Sequence, residues 1–220
     1  MRPTFVLIPG AWHLPSSWDL LRGELDALGY ASIAVKLATN GTDPRGGLQE
    51  DAAAIRATIN KLSGPIVVVA HSYGGIPASE AVENVQHLVY LTAYVPDANE
   101  SMVSLHGAPE PDSSEGLFHI PRDPREQLYH DLPEEMRERA VSLMVDQRLQ
   151  PFVDRTTRAA WRTVPTSYII TDDDHSLPAE FQERMATRTG ATYHLPTSHS
   201  PMLSSPTDLA VLLDKIASEN

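Results

Sequence analysis

Three side chains, far apart in the chain, have the types and positions that covalent chemistry on a carbonyl needs. The first is Ser72, in the stretch Ile66-Val67-Val68-Val69-Ala70-His71-Ser72-Tyr73-Gly74-Gly75. The β-branched run, entered through Gly64-Pro65, reads as a strand buried on both faces. Small residues two before and two after the serine, Ala70 and Gly74, suit a turn so tight that larger side chains would collide with it. A serine held this way between strand and helix is a nucleophile elbow, G-x-S-x-G, with Ala70 in place of the first glycine. The same stretch can also be read as a buried strand ending in a polar turn.

A serine hydroxyl holds its proton at neutral pH. Attack on a carbonyl therefore needs a neutral imidazole to take that proton. A buried carboxylate must then fix the imidazole's tautomer and stabilise its charged form. Among nine histidines, His199 is favoured because it follows the last expected strand, in Thr197-Ser198-His199-Ser200-Pro201. His71 abuts the serine and is expected to point to the other side of the turn. His119 and His130 read as solvated surface histidines. The acid falls within Asp172-Asp173-Asp174-His175, and three consecutive aspartates leave the choice open. That run lacks EF-hand spacing and the chain has no H-E-x-x-H, so no metal is expected. Two backbone N–H groups should receive the oxyanion: that of Tyr73, just after the serine, and that of Ala11, after the first strand.

The elements that must position these groups follow from hydrophobic periodicity. Strands are expected at Thr4 to Ile8, Ala31 to Val35, Ile66 to Val69, His87 to Leu91, Ser167 to Thr171 and Thr192 to Leu195. Helices are expected from Pro15 to Leu28, Leu48 to Leu62, after Ser72, Pro178 to Gly190 and Pro206 to Ala217. Alternation at this spacing implies right-handed crossovers and a mostly parallel sheet of about six strands, with helices on both faces. In such a sheet the active site lies beyond the carboxyl ends of the strands. Those ends carry Gly10-Ala11, Ser72, the aspartates and His199.

The alternation breaks between 96 and 165, a proline-rich stretch with short helical patterns and no run resembling a buried strand. It is expected to be a helical cap inserted over the sheet's carboxyl edge, leaving 1–95 and 166–220 as the core. Phe118, Phe152, Trp161 and Met202 are candidate pocket residues, with Trp12 and Tyr73 nearer the chemistry. Packing between cap and sheet is the competing role for the first four.

Composition narrows the partners. The 220 residues are 41% hydrophobic and 21% charged, with a net charge of −12 from 17 basic and 29 acidic side chains. That acidity disfavours nucleic acid and anionic membranes. With no cysteine, a disulfide, a thiol nucleophile and a thiolate metal site are excluded. No apolar run has the length of a signal-peptide core or a membrane span, so a cytoplasmic protein is expected. A homodimer is the default assembly because dimers are common, not from any feature of the sequence.

The order Ser…Asp…His is that of the α/β-hydrolases, and the chain resembles that superfamily almost end to end. Within it, the chain is similar to the plant methylesterases, the hydroxynitrile lyases and their bacterial esterase relatives. The resemblance is carried by Phe5-Val6-Leu7-Ile8-Pro9-Gly10-Ala11-Trp12-His13, Ala70-His71-Ser72-Tyr73-Gly74-Gly75, Tyr168 through Pro178, and His199-Ser200-Pro201-Met202. Aligned from Pro178, it places the catalytic acid on Asp174. Pro9 departs from the His usual in the oxyanion loop. The lyases carry a Lys directly after the catalytic His, where this chain has Ser200. The resemblance therefore implies an esterase that needs no cofactor and acts on a small to medium apolar or aromatic ester. A lyase or eliminase using the same triad, and a non-catalytic binding protein, are the alternatives.

Overall fold

The computed structural model describes residues 1–219. The chain begins β1 (Thr4–Ile8), α1 (Asp19–Ala27), β2 (Ser32–Ala34), α2 (Leu48–Ile59), β3 (Ile66–His71), α3 (Gly75–Ala81) and β4 (His87–Leu91). Short elements follow: α4 (Met102–Leu105), β5 (Leu117–Phe118), α5 (Pro124–Tyr129), α6 (Glu134–Ser142), β6 (Gln147–Arg148) and α7 (Gln150–Val153). The chain ends with β7 (Thr166–Thr171), α8 (Ala179–Ala186), β8 (Ala191–Leu195), α9 (Pro201–Ser204) and α10 (Pro206–Glu219). The helix expected from Pro15 opens as a 3-10 turn over Pro15–Trp18 before α1 begins.

Six strands form one sheet in the order β2-β1-β3-β4-β7-β8, and every pairing is parallel. This is the α/β-hydrolase architecture. The chain moves outward from β1 to β2 and returns on the other side of β1 as β3. The strand order therefore reverses between β1 and β3, where a doubly wound sheet leaves a crevice at its carboxyl edge.

Side chains alternate across the pleat, so each strand feeds two cores. Val6, Ile8, Val68, Tyr90 and Tyr168 face one layer with Leu48, Ala52 and Ile55 of α2, Ile76 of α3 and Phe181 of α8. Phe5, Leu7, Val67, Val69, Val89 and Ile169 face the other, against Leu21 and Leu25 of α1 and Leu209, Leu213 and Ile216 of α10. Burial of both faces explains the uninterrupted apolar run of β3. Each fully buried large apolar side chain stabilises the fold by about 1.5–3 kcal/mol.

Segment 96–165 adds no strand to this sheet. Its β5 and β6 pair antiparallel with each other, Phe118 opposite Gln147. Two-residue strands are too short to leave a sequence signature. The Trp161 Nε1–H donates to the Pro96 carbonyl at 2.9 Å, joining the two ends of the segment. Its middle is sewn to the loops after β1 and β2, through Val145 N–H to the Trp12 carbonyl (3.0 Å) and Arg148 N–H to the Thr39 carbonyl (2.9 Å).

Candidate active site

Ser72 stands where β3 ends and a 3-10 turn over Ser72–Gly74 leads into α3. Its φ is +51°, a left-handed conformation that few non-glycine residues adopt. Trp12 after β1 (φ +62°) and Thr92 after β4 (φ +37°) share this feature, so three neighbouring strand ends are held in strained turns. Strain of this kind persists where the surroundings over-determine it, and it gathers at functional sites. The glycines behind the turn are required by space. A Cβ on Gly74 would lie 2.7 Å from the Pro9 carbonyl oxygen, and one on Gly75 only 2.0 Å from that of Tyr94. A Cβ on Gly10 would fall 3.0 Å from the Ser72 Cβ, so the loop after β1 passes directly beside the serine.

Of the three aspartates, Asp174 is the one that meets His199. The His199 Nδ1–H donates to Asp174 Oδ2 at 2.7 Å, and both side chains are buried. The same oxygen accepts from the hydroxyls of Thr92 (2.6 Å) and Thr171 (2.9 Å). Oδ1 accepts from the N–H groups of Ser176 (2.7 Å) and Leu177 (2.8 Å). Burial alone pushes this carboxyl up, but the facing His199 and the hydrogen bonds outweigh it and hold Asp174 at about 2. It is ionised throughout the neutral range. With Nδ1 committed to the carboxylate, Nε2 of His199 is the nitrogen left to take a proton. Among the described residues the Ser72 hydroxyl makes no hydrogen bond. Asp172 instead pairs at the surface with His194, and Asp173 is exposed.

Two further histidines surround this pair. The ring of His71 packs 4.8 Å from that of His199, and its Nε2–H donates to the His199 carbonyl at 2.8 Å. His71 thus leaves the turn and reaches beneath the opposite loop, a role that its place beside the serine does not reveal. Burial holds it well below the ordinary imidazole range, with His199 and His13 adding to the effect. His13 donates from Nδ1 to the Ala11 carbonyl (2.6 Å) and accepts at Nε2 from the Tyr129 hydroxyl (2.6 Å). Burial lowers it to about 4. Both rings are neutral at physiological pH.

The loop after β1 is fixed from both sides. The Ala11 carbonyl is held by His13, and the Trp12 N–H donates to Gln147 Oε1 at 3.1 Å. Gln147 in turn donates to the Thr39 hydroxyl (2.8 Å), and Thr39 donates to Asp51 Oδ2 (2.7 Å). The Tyr73 hydroxyl donates to that same oxygen at 2.7 Å. A buried chain of hydrogen bonds therefore links the loop after β1 to the residue after Ser72. Asp51 is fully buried, and burial raises its carboxyl. The Ala11 N–H has no acceptor among the described residues. The Tyr73 N–H lies in the first turn after β3, where no intrahelical carbonyl can reach it.

The aromatic candidates divide into two groups. Trp12 stacks on Phe118 at 5.0 Å, Phe118 meets Phe152 at 4.5 Å, and Phe152 meets Tyr73 at 4.7 Å, forming one row beside the serine turn. Trp161 lies elsewhere, capped by Arg162. Met202 is buried in the core on the opposite face of the sheet. A cavity of about 340 Å³ opens behind His13 and Tyr129, lined by Leu132, Met136, Leu143 and Met144 among others. None of the aromatic candidates, nor Met202, lines it.

Residues 5–212 match the model of the alpha/beta hydrolase family. An alpha/beta hydrolase, nvfD, of Aspergillus novofumigatus is 29% identical over 96% of this chain and 94% of its own length. Salicylic acid-binding protein 2 of Nicotiana tabacum is 28% identical, covering 97% and 96%. Methyl jasmonate esterase 1 of Vitis vinifera is also 28% identical, covering 96% and 95%. Among solved structures, polyneuridine aldehyde esterase superposes with a TM-score of 0.84 at 20% identity, over 99% of this chain and 100% of the other. A pyrethroid hydrolase from Sphingobium faniae JZ-2 gives 0.81 at 22%, over 99% and 98%. By sequence along nearly its whole length, and by the fold of its sheet, this chain belongs to the alpha/beta hydrolase family.

Proposed function

We propose that the chain is a cofactor-independent serine esterase, with Ser72 as nucleophile, His199 as general base and acid, and Asp174 as the residue that orients His199. The buried contact between His199 and Asp174 carries this reading. A carboxylate whose two oxygens are both occupied by fixed donors can neither turn away nor take the proton itself. Substrate brings the Ser72 hydroxyl onto His199 Nε2, a contact that commonly closes only when the site is loaded. Ser72 Oγ then attacks the acyl carbon while His199 takes its proton, and the imidazolium returns that proton to the leaving alcohol. Water, deprotonated by His199, releases the acyl group. The N–H groups of Ala11 and Tyr73 receive the oxyanion, and losing one such donor costs about 3 kcal/mol of transition-state stabilisation.

Segment 96–165 serves as the cap, and Trp12, Phe118 and Phe152 form the apolar side of the substrate site. A small to medium aromatic or apolar ester suits that row, and relatives that bear the name of an ester hydrolase support the reaction class. Tyr73 contributes its backbone, since its hydroxyl is committed to Asp51. The deciding experiment is Ser72→Ala against 4-nitrophenyl esters and methyl esters of aromatic acids. Turnover should vanish, and a fluorophosphonate should label only the parent protein. Products heavier by one water mark hydrolysis, whereas unchanged total mass marks elimination. Full turnover by Ser72→Ala would sink the proposal.

A further inference from the structure

Where α5 meets the loop that carries the acid, three metal-ligating side chains converge outside the machinery described above. One ring nitrogen of His130, one of His175 and a carboxylate oxygen of Asp173 lie within 4.8 Å of one another. His130 comes from the end of α5, while Asp173 and His175 flank Asp174 in sequence. We propose that these three residues bind a borderline divalent transition cation, Zn²⁺ being the representative ion.

The donor set selects the ion. Two imidazoles and one carboxylate suit Zn²⁺ and its neighbours and are poor ligands for Mg²⁺ or Ca²⁺, which favour oxygen. Three protein ligands leave coordination positions for water. Nδ1–H of His175 donates to Glu126 Oε1 at 3.0 Å. Nε2, 3.8 Å from Asp173 Oδ1, is the nitrogen that faces the cluster. A carboxylate behind a ligating imidazole is the usual outer support of a zinc site. Glu126 and His130 are four residues apart, so the first turn of α5 supplies the support and the residue just past its last turn the ligand.

The rings of His130 and His175 stack face to face at 3.9 Å with 15° between their planes, so the exposed His175 ring must turn for both in-plane lone pairs to meet one ion. Among the described residues, the ion-pair partners of the Asp173 carboxylate are these two histidines and no Lys or Arg, so no fixed cation competes. Tetrahedral coordination needs donors about 3.3 Å apart. The Asp173 and His175 side chains are 68% and 43% exposed and are free to close that gap. His130 Nε2 currently donates to the Asp173 carbonyl at 2.7 Å. That carbonyl belongs to the peptide whose nitrogen is Asp174. A bound cation would tie segment 96–165 to the acid loop beside the proposed triad.

The test uses the full chain after chelator treatment, with Zn²⁺ as titrant in calorimetry, thermal melting as a second readout, and Co²⁺ absorption to report coordination. One equivalent should bind and raise the melting temperature. His175→Ala and Asp173→Asn, both at exposed positions, should each weaken binding at least tenfold, and Glu126→Gln less. His194→Ala and His119→Ala remove surface histidines that also face a carboxylate, and they should change nothing. The site is refuted by the absence of saturable uptake at submillimolar Zn²⁺. It is equally refuted if His175→Ala binds as the parent does, or if His194→Ala loses as much. None of these readouts depends on ester hydrolysis.

Discussion

His71 donates its Nε2–H to the backbone carbonyl of His199 across 2.8 Å, so the neighbour of Ser72, the proposed nucleophile, supports the residue proposed as its base. The two histidines are 128 positions apart in the chain. One side chain thereby sets the height of the histidine loop relative to the serine turn.

His71→Ala should lower kcat of ester hydrolysis by about tenfold to a hundredfold with little change in KM, because a misplaced base affects the chemical step rather than binding. His71→Gln, which restores a donor, should recover part of that loss. A change confined to KM would contradict the positioning role.

Asp174→Asn should reduce kcat by about 10³–10⁴ while leaving the fold intact. The Ser176 and Leu177 N–H groups still find a side-chain oxygen, so the loop keeps its shape. Steady-state kinetics alongside far-ultraviolet circular dichroism separates the two effects.

Acid should destabilise the protein in a defined window. His13 and His71 are buried as neutral rings with lowered pKa values, so below about pH 6.5 the unfolded chain takes up protons that the folded chain refuses. For His13, lowered to about 4, the stability present above pH 6.5 is lost as pH falls through that interval, amounting to about 2 kcal/mol by pH 5. Asp174 adds a second loss below the ordinary carboxylate range, as pH falls toward about 2. Urea melts at pH 7.5 and pH 5 measure the first step, and His13→Gln should flatten it.

Gln147→Leu leaves the Trp12 N–H without its acceptor and Thr39 without its donor. Each buried group abandoned this way costs about 1–3 kcal/mol. Denaturant unfolding should show that loss, and kcat should fall because the Ala11–Trp12 peptide is then held from one side only, by His13 at the Ala11 carbonyl.

Gly75→Ala forces a Cβ against the Tyr94 carbonyl and should cost about 3 kcal/mol. Gly23→Ala, in the middle of α1 with nothing within 4 Å, should instead stabilise by about 0.5–1 kcal/mol. Thermal melting of the pair checks both directions.

The sheet and the place of its chemistry were legible in the chain because they depend on local pattern. β-branched runs such as Ile66 to Val69 announce doubly buried strands, and the regular return of helices forces parallel pairing. Parallel pairing sends every carboxyl end to one edge. Ser72, the aspartates and His199 are therefore directed to that edge by sequence alone. Which aspartate meets His199 is a matter of angle that spacing leaves open; the family resemblance points to Asp174, and the folded turn after β7 has Asp174 inward and Asp172 and Asp173 outward. Pairings such as His71 with the His199 carbonyl, Gln147 with Trp12, and His130 with Asp173 leave no periodic trace. They join side chains brought together across dozens to more than a hundred positions, and linear spacing encodes periodicity within an element, not the partner it will find across the fold.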